Sequence, residues 1–208
     1  MTRPPRPSPF YALIASLSLP IVYLVFRYRA YGKENLPASG GYVLAAGHVS
    51  NLDPWPLGLG LFPARFLRFM AKSELFWFPL GVLIKGAGAF KVRRGMADVE
   101  AIQTAVGLAH DGHVIAMFPE GTRRKKGLRK TRQAQAHTGA ARIALEARVP
   151  LVPAGIKGTN GLRTLRPWRV RYGRPVELDD LHGLPPAEAA RVATDRVMEA
   201  IAELEASL

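Results

Sequence analysis

The 208-residue chain contains no cysteine. That excludes disulfides, Cys-ligated zinc and any intermediate carried on a cysteine sulfur. Acidic residues are scarce as well: 16 Asp and Glu stand against 29 Lys and Arg, a net charge of +13. An excess of that size points to an anionic partner, whether nucleic acid, an anionic membrane face or a phosphorylated small substrate. Several signatures are missing. There is no G-x-x-x-x-G-K-[ST] loop, no G-x-S-x-G and no H-E-x-x-H. P-loop, serine-hydrolase and zincin chemistry lose their usual markers with them. Gly86-x-Gly88 does not extend to G-x-G-x-x-G, because Lys91 stands at the last position. No zinc-finger or RNP-like pattern supports a nucleic-acid reader, so no nucleic-acid partner is expected. His48, His110, His113, His137 and His182 are scattered, and no metal site is expected.

What is present suits one folded domain with an appendage. The apolar fraction is 48%, ordinary for a globular protein. After a basic, proline-rich tip, Phe10 to Phe26 carries no charge. A spanning helix needs about 17–25 such residues. This run sits at the lower limit, and Pro20 interrupts it. Arg27, Tyr28 and Arg29 follow, rather than the small-x-small pattern of a cleavage site. A helix or bent helix pair lying in the bilayer interface fits best, ahead of a helix buried in the core and of a true spanning helix. Tyr11, Tyr23, Phe26 and Tyr28 are expected at headgroup depth, with Arg27 and Arg29 on lipid phosphates. Residues 1–35 are therefore read as a membrane-associating segment and residues 36–208 as the domain. Deleting Met1 to Arg29 is expected to release the protein from vesicles and leave the domain folded.

Short apolar runs predict buried strands at Gly41–Ala46, Val114–Phe118 and Leu151–Ile156, and further strands are expected at Phe66–Met70, within Gly86–Val92 and at Val170–Val176. Helical spacing covers Leu57–Leu61, Ala97–Asp111 and Thr138–Ala147. Pro186–Leu208 reads as a long amphipathic helix with Val192, Val197, Ile201 and Leu204 on its apolar side. Ser73 is expected to cap a short helix that Pro79 ends. Alternating strands and helices predict an α/β fold: a single domain with a largely parallel or mixed sheet flanked by helices. Sites in such folds lie beyond the carboxyl ends of strands.

Four segments stand out. His48-Val-Ser-Asn-Leu-Asp53 follows a strand. A histidine accepts a proton near neutral pH, and a carboxylate five positions on, across a turn, can hold its ring and stabilise the imidazolium. Phe118-Pro-Glu-Gly-Thr-Arg123 sets Glu120, Thr122 and Arg123 just past another strand, where arginine can grip phosphate. Ala89-Phe-Lys-Val-Arg-Arg-Gly95 ends a third strand in two arginines. In Val149-Pro-Leu-Val-Pro153 prolines bracket a fourth.

In this order the four segments resemble the PlsC-type 1-acyl-sn-glycerol-3-phosphate acyltransferases, over about Gly40 to Gly158. The matching blocks are H-x4-D (His48, Asp53), G-x-F-x-V-x-R (Gly88, Phe90, Val92, Arg94), F-P-E-G-T-R (Phe118 to Arg123) and V-P-x-V-P. The resemblance implies the glycerolipid acyltransferase fold and a membrane-associated O-acyltransferase. His48 would be the general base, with Asp53 orienting it. The hydroxyl of lysophosphatidic acid, or of a related lysolipid, would attack a thioester of CoA or of acyl carrier protein. Arg94, Glu120, Gly121, Thr122 and Arg123, with Arg93 beside them, would bind the acceptor's glycerol phosphate. No cofactor is implied beyond the acyl-CoA or acyl-ACP co-substrate. The expected place of action is the cytoplasmic face of the cell membrane, against an anionic surface. Where some relatives carry a Lys-Gly pair this chain departs from the pattern, with His137-Thr-Gly139. Arg123 to Arg132 is the densest basic cluster, suited to lipid or CoA phosphates or to an acidic carrier. The apolar stretch Phe66 to Leu83 is the first place to seek a channel for the acyl chain, at about 0.8 kcal/mol per buried CH₂.

Overall fold

The structure, a computed structural model, describes residues 5–92, 99–120 and 136–208. In chain order the elements are α1 (Pro9–Val25), β1 (Arg29–Tyr31), β2 (Tyr42–Ala46), α2 (Pro54–Leu61), β3 (Leu67–Lys72), α3 (Leu80–Gly86) and β4 (Ala89–Val92). They continue with α4 (Val99–His110), β5 (Val114–Met117), α5 (Gly139–Ala147), β6 (Leu151–Lys157), β7 (Arg169–Tyr172) and α6 (Pro186–Ala206). The strands form one seven-stranded sheet in the order β1-β7-β6-β2-β5-β3-β4. Every neighbouring pair is parallel except β6 with β7. The fold is thus the α/β, mixed-sheet arrangement that the sequence predicts.

Period-two alternation divides the core between the two faces of the sheet. On β2, Tyr42, Leu44 and Ala46 join one apolar cluster, with Tyr11, Ala15, Phe26, Leu57 and Leu61. Val43 and Ala45 join the other, with Ala105, Ile143, Ala193, Val197 and Ile201 from α4, α5 and α6. The central strand is buried at every position. A strand covered on both faces needs a continuous apolar run rather than an alternating one, which is why this stretch was legible.

The N-terminal segment differs from expectation. Tyr11, Phe26 and Tyr28 are buried in the core rather than set at headgroup depth. Arg29 starts β1, which pairs in parallel with β7. Part of the 1–35 stretch therefore belongs to the sheet. Removing Met1 to Arg29 would strip Tyr11, Val22, Phe26 and Tyr28 from the larger cluster, so the deletion would not leave the domain intact. Pro79 also acts differently. Ser73–Leu75 is a single short turn, and Pro79 precedes α3 rather than ending a helix. Proline is tolerated at a helix start because its missing N–H has no partner there.

Two buried tyrosines carry α2. Tyr28 donates its hydroxyl to the Pro56 carbonyl at 2.6 Å, and Tyr172 donates to the Leu57 carbonyl at 2.7 Å. Each such bond contributes roughly 1 kcal/mol. Gly60 leaves the room: a Cβ there would overlap the Tyr172 hydroxyl. Sheet, tyrosines and α2 thus form one rigid support for the residue heading that helix, Asp53.

Candidate active site

β2 ends at Ala46, and Gly47 leads the chain to His48 beyond the carboxyl edge of the sheet. The Ser50 hydroxyl accepts the Leu52 N–H at 3.2 Å, and the Asp53 N–H reaches the Ser50 carbonyl at 3.2 Å. This tight turn folds Asp53 back beneath His48. His48 Nδ1 lies 2.8 Å from Asp53 Oδ2. The same oxygen accepts the main-chain N–H groups of Val49 and Ser50, each at 2.8 Å. The other oxygen, Oδ1, accepts the Thr159 hydroxyl at 2.6 Å. Asp53 is fully buried, whereas the His48 side chain keeps 17% exposure.

This pattern sets the proton on the ring. Two main-chain N–H groups can only donate, so Oδ2 is an acceptor and Nδ1 carries a hydrogen towards it. In the neutral imidazole Nε2 is then left with a free lone pair. A carboxylate satisfied by four donors tolerates burial that would otherwise be prohibitive. Its place ahead of the first turn of α2 adds a favourable helix dipole.

The second and third blocks meet this pair in different ways. β5 lies beside β2 in parallel, with Met117 opposite Ala45. The chain after β5 therefore leaves the sheet next to the chain after β2. Phe118 stacks on the His48 ring, with centroids 4.3 Å apart and 24° between planes. Glu120 lies in the turn that follows, partly buried. Gly121, Thr122 and Arg123 lie outside the described residues, as does the basic run to Arg132. Arg93 and Arg94 also lie outside them. The strand that precedes them in sequence, β4, ends at Val92 opposite Lys72 of β3, at the same edge of the sheet. Phe90 and Val92 are buried in the cluster beneath α4 and α5, so those two motif positions serve packing.

Two contacts of the pair were not foreseen from sequence: Phe118 on the ring and Thr159 on the carboxylate. Both arise from strands adjacent to β2 in space and distant along the chain. The acyl-channel expectation for Phe66 to Leu83 is not met as one wall. Phe66 lies at the opposite, amino edge of the sheet, edge-on to His113. Phe69 and Met70 pack on opposite faces, and Trp77 and Phe78 are exposed. Among the described residues no group of three His, Cys, Asp or Glu is placed to hold a metal.

Residues 27–157 match the Acyltransferase family. The 1-acyl-sn-glycerol-3-phosphate acyltransferase of Bacillus subtilis is 33% identical over 186 residues, which covers 86% of this chain and 89% of that protein. The alpha enzyme of the same name from Bos taurus is 28% identical, over 89% of this chain and 63% of its own length. The crystal structure of the lysophosphatidic acid acyltransferase PlsC from Thermotoga maritima superimposes with a TM-score of 0.68 at 25% identity, covering 94% of this chain and 80% of that one. A His–Asp pair at the carboxyl edge of a mixed sheet, inside a match that takes in more than half of the residues, leads to one conclusion: the chain belongs to the Acyltransferase family and is an acyltransferase of the PlsC type.

Proposed function

We propose that this enzyme transfers a fatty acyl group from acyl-CoA or acyl-ACP to the sn-2 hydroxyl of 1-acyl-glycerol-3-phosphate, giving phosphatidic acid. The observation that carries the reading is the His48–Asp53 pair, whose hydrogen bonding leaves Nε2 free to accept a proton. An alcohol is a poor nucleophile until a base takes its proton. His48 Nε2 takes the proton as the hydroxyl oxygen attacks the thioester carbonyl carbon. The buried Asp53 carboxylate stabilises the imidazolium that forms. The tetrahedral intermediate then collapses by breaking the carbon–sulfur bond, and the thiolate takes the proton back. A thiol has a pKa near 8.5, so it leaves with little acid assistance. The scheme needs no covalent enzyme intermediate and no cofactor. Arg93, Arg94, Glu120, Gly121, Thr122 and Arg123 are assigned to the acceptor's phosphate and glycerol. The activity for which the Bacillus subtilis and Thermotoga maritima relatives are named supports this acceptor.

Attachment to the cytoplasmic face of the membrane belongs to the same reading. No helix among the described residues is long and apolar enough to cross a membrane. α1 instead presents two apolar faces. Tyr11, Ala15 and Val22 are buried against the domain, while Leu13, Leu17, Ile21 and Leu24 are exposed. Leu75, Trp77, Phe78, Val82 and Leu83 form a second exposed apolar stretch. The two adjoin, since a Cβ on Gly86 of α3 would overlap the Phe10 ring. An apolar surface of this kind favours a bilayer interface, and the exposed Arg27 and Arg29 supply the charge that anionic lipid attracts. The test of the whole reading is release of CoA from oleoyl-CoA that depends on lysophosphatidic acid and is lost in His48→Ala.

A further inference from the structure

We propose that Thr159 is a positioning residue of the His48–Asp53 pair, a third member that fixes the carboxylate so that the ring keeps its hydrogen on Nδ1. The proposal rests on the reading of His48 as the base and deepens it. Thr159 lies 106 positions from Asp53 and is 1% exposed. It follows β6, which pairs in parallel with β2 on the side away from β5. The pair is therefore enclosed by three adjacent strand ends: His48 after β2, Phe118 after β5 and Thr159 after β6.

The route to that place is specific. Gly158 adopts φ of 95° and lies so close to the Pro167 carbonyl that a Cβ would overlap it. Few residues other than glycine take that conformation. The chain turns there out of β6 and delivers Thr159 beside Asp53. The hydroxyl donates to Oδ1 at 2.6 Å, while the three other donors all converge on Oδ2. The two oxygens are thus held from opposite sides, and the carboxylate cannot rotate about its Cβ–Cγ bond without breaking a bond at each end. Without the hydroxyl, Oδ1 would be a buried charged acceptor lacking that donor. Rotation of the group in search of another partner would draw Oδ2 away from His48.

The bland alternative is that Thr159 only satisfies a buried oxygen and contributes stability. Kinetics and tautomer separate the two. In Thr159→Val the shape is kept and the hydroxyl is lost. Positioning predicts that kcat falls roughly tenfold to hundredfold, with KM for thioester and acceptor changed by less than about twofold. Thr159→Ser, which keeps the donor, restores most of kcat. Nitrogen-15 spectra of the histidine rings give a readout independent of any substrate. The wild type shows His48 protonated at Nδ1, and Thr159→Val shows a mixture of tautomers. Retention of the Nδ1–H form in Thr159→Val overturns the proposal, as does a kcat within about twofold of wild type. Should Thr159→Val fail to fold, Thr159→Ser decides: a serine variant as folded as wild type with kcat reduced more than about tenfold, or with a mixed tautomer, also overturns it. The tautomer arm stands even if the acceptor proves to be another lipid, so failure of the acceptor assignment and failure of this proposal are distinguishable.

Discussion

Asp53 receives His48 Nδ1 on the same carboxylate oxygen that accepts the N–H groups of Val49 and Ser50. The loop between the two residues therefore selects Oδ2 to face the ring, and the Thr159 hydroxyl on Oδ1 keeps it there. This has a consequence for Asp53→Asn. The two main-chain donors require an acceptor, so the asparagine oxygen takes the place of Oδ2 and its amide points at Thr159, whose hydroxyl oxygen can accept. The Nδ1–H tautomer survives, and only the charge that stabilises the imidazolium is lost. We predict that kcat drops about a hundredfold, with the tautomer unchanged in nitrogen-15 spectra. A wholly inverted tautomer would refute the account of the loop.

Alkaline pH tests the support beneath the site. Burial pushes the hydroxyls of Tyr28, Tyr42 and Tyr172 well above the ordinary tyrosine value of 10.0. A folded-state value raised above the unfolded one means that the native protein holds the proton more tightly. The stabilising contribution is complete below pH 10.0 and falls away as the pH rises beyond it. Urea midpoints should accordingly decline above that pH more steeply than for a variant with Tyr172→Phe. That variant loses roughly 1 kcal/mol at neutral pH, from the bond to Leu57. Parallel alkaline limbs in the two proteins would contradict this.

The membrane reading is tested by point substitutions rather than by deletion, because α1 is also part of the core. Leu17 and Leu24 are 63% and 80% exposed. Changing both to glutamate should reduce binding to anionic vesicles by roughly tenfold or more, with the melting temperature little changed. Binding equal to wild type would remove the outer face of α1 from the account.

Much of this was legible in the sequence, for physical reasons that differ by element. β2, β5 and β6 are covered on both faces and so read as unbroken apolar runs. α6 showed its buried side through Val197 and Ile201, both fully buried. β1 escaped notice because Arg29-Ala30-Tyr31 is a three-residue edge with exposed ends. The dual nature of α1 was hidden as well. An uncharged run does not distinguish the face that meets the core from an outer face, and Tyr11, Phe26 and Tyr28 lie on the inner one. The His48–Asp53 pair was readable because one turn joins its members. Phe118 and Thr159 were not, because strand order brings them there. The one local hint at Thr159 is a Gly-Thr step directly after a buried strand.

Release of CoA from oleoyl-CoA by the protein in vesicles, with lysophosphatidic acid or other lysolipids as acceptor, is the decisive measurement. Release should depend on lysophosphatidic acid and fall about a thousandfold in His48→Ala, the variant remaining folded. Release with a different acceptor alone would keep the base and replace the substrate. Equal release by wild type and His48→Ala would contradict the account, as would no release with any acceptor from either CoA or carrier-protein thioesters.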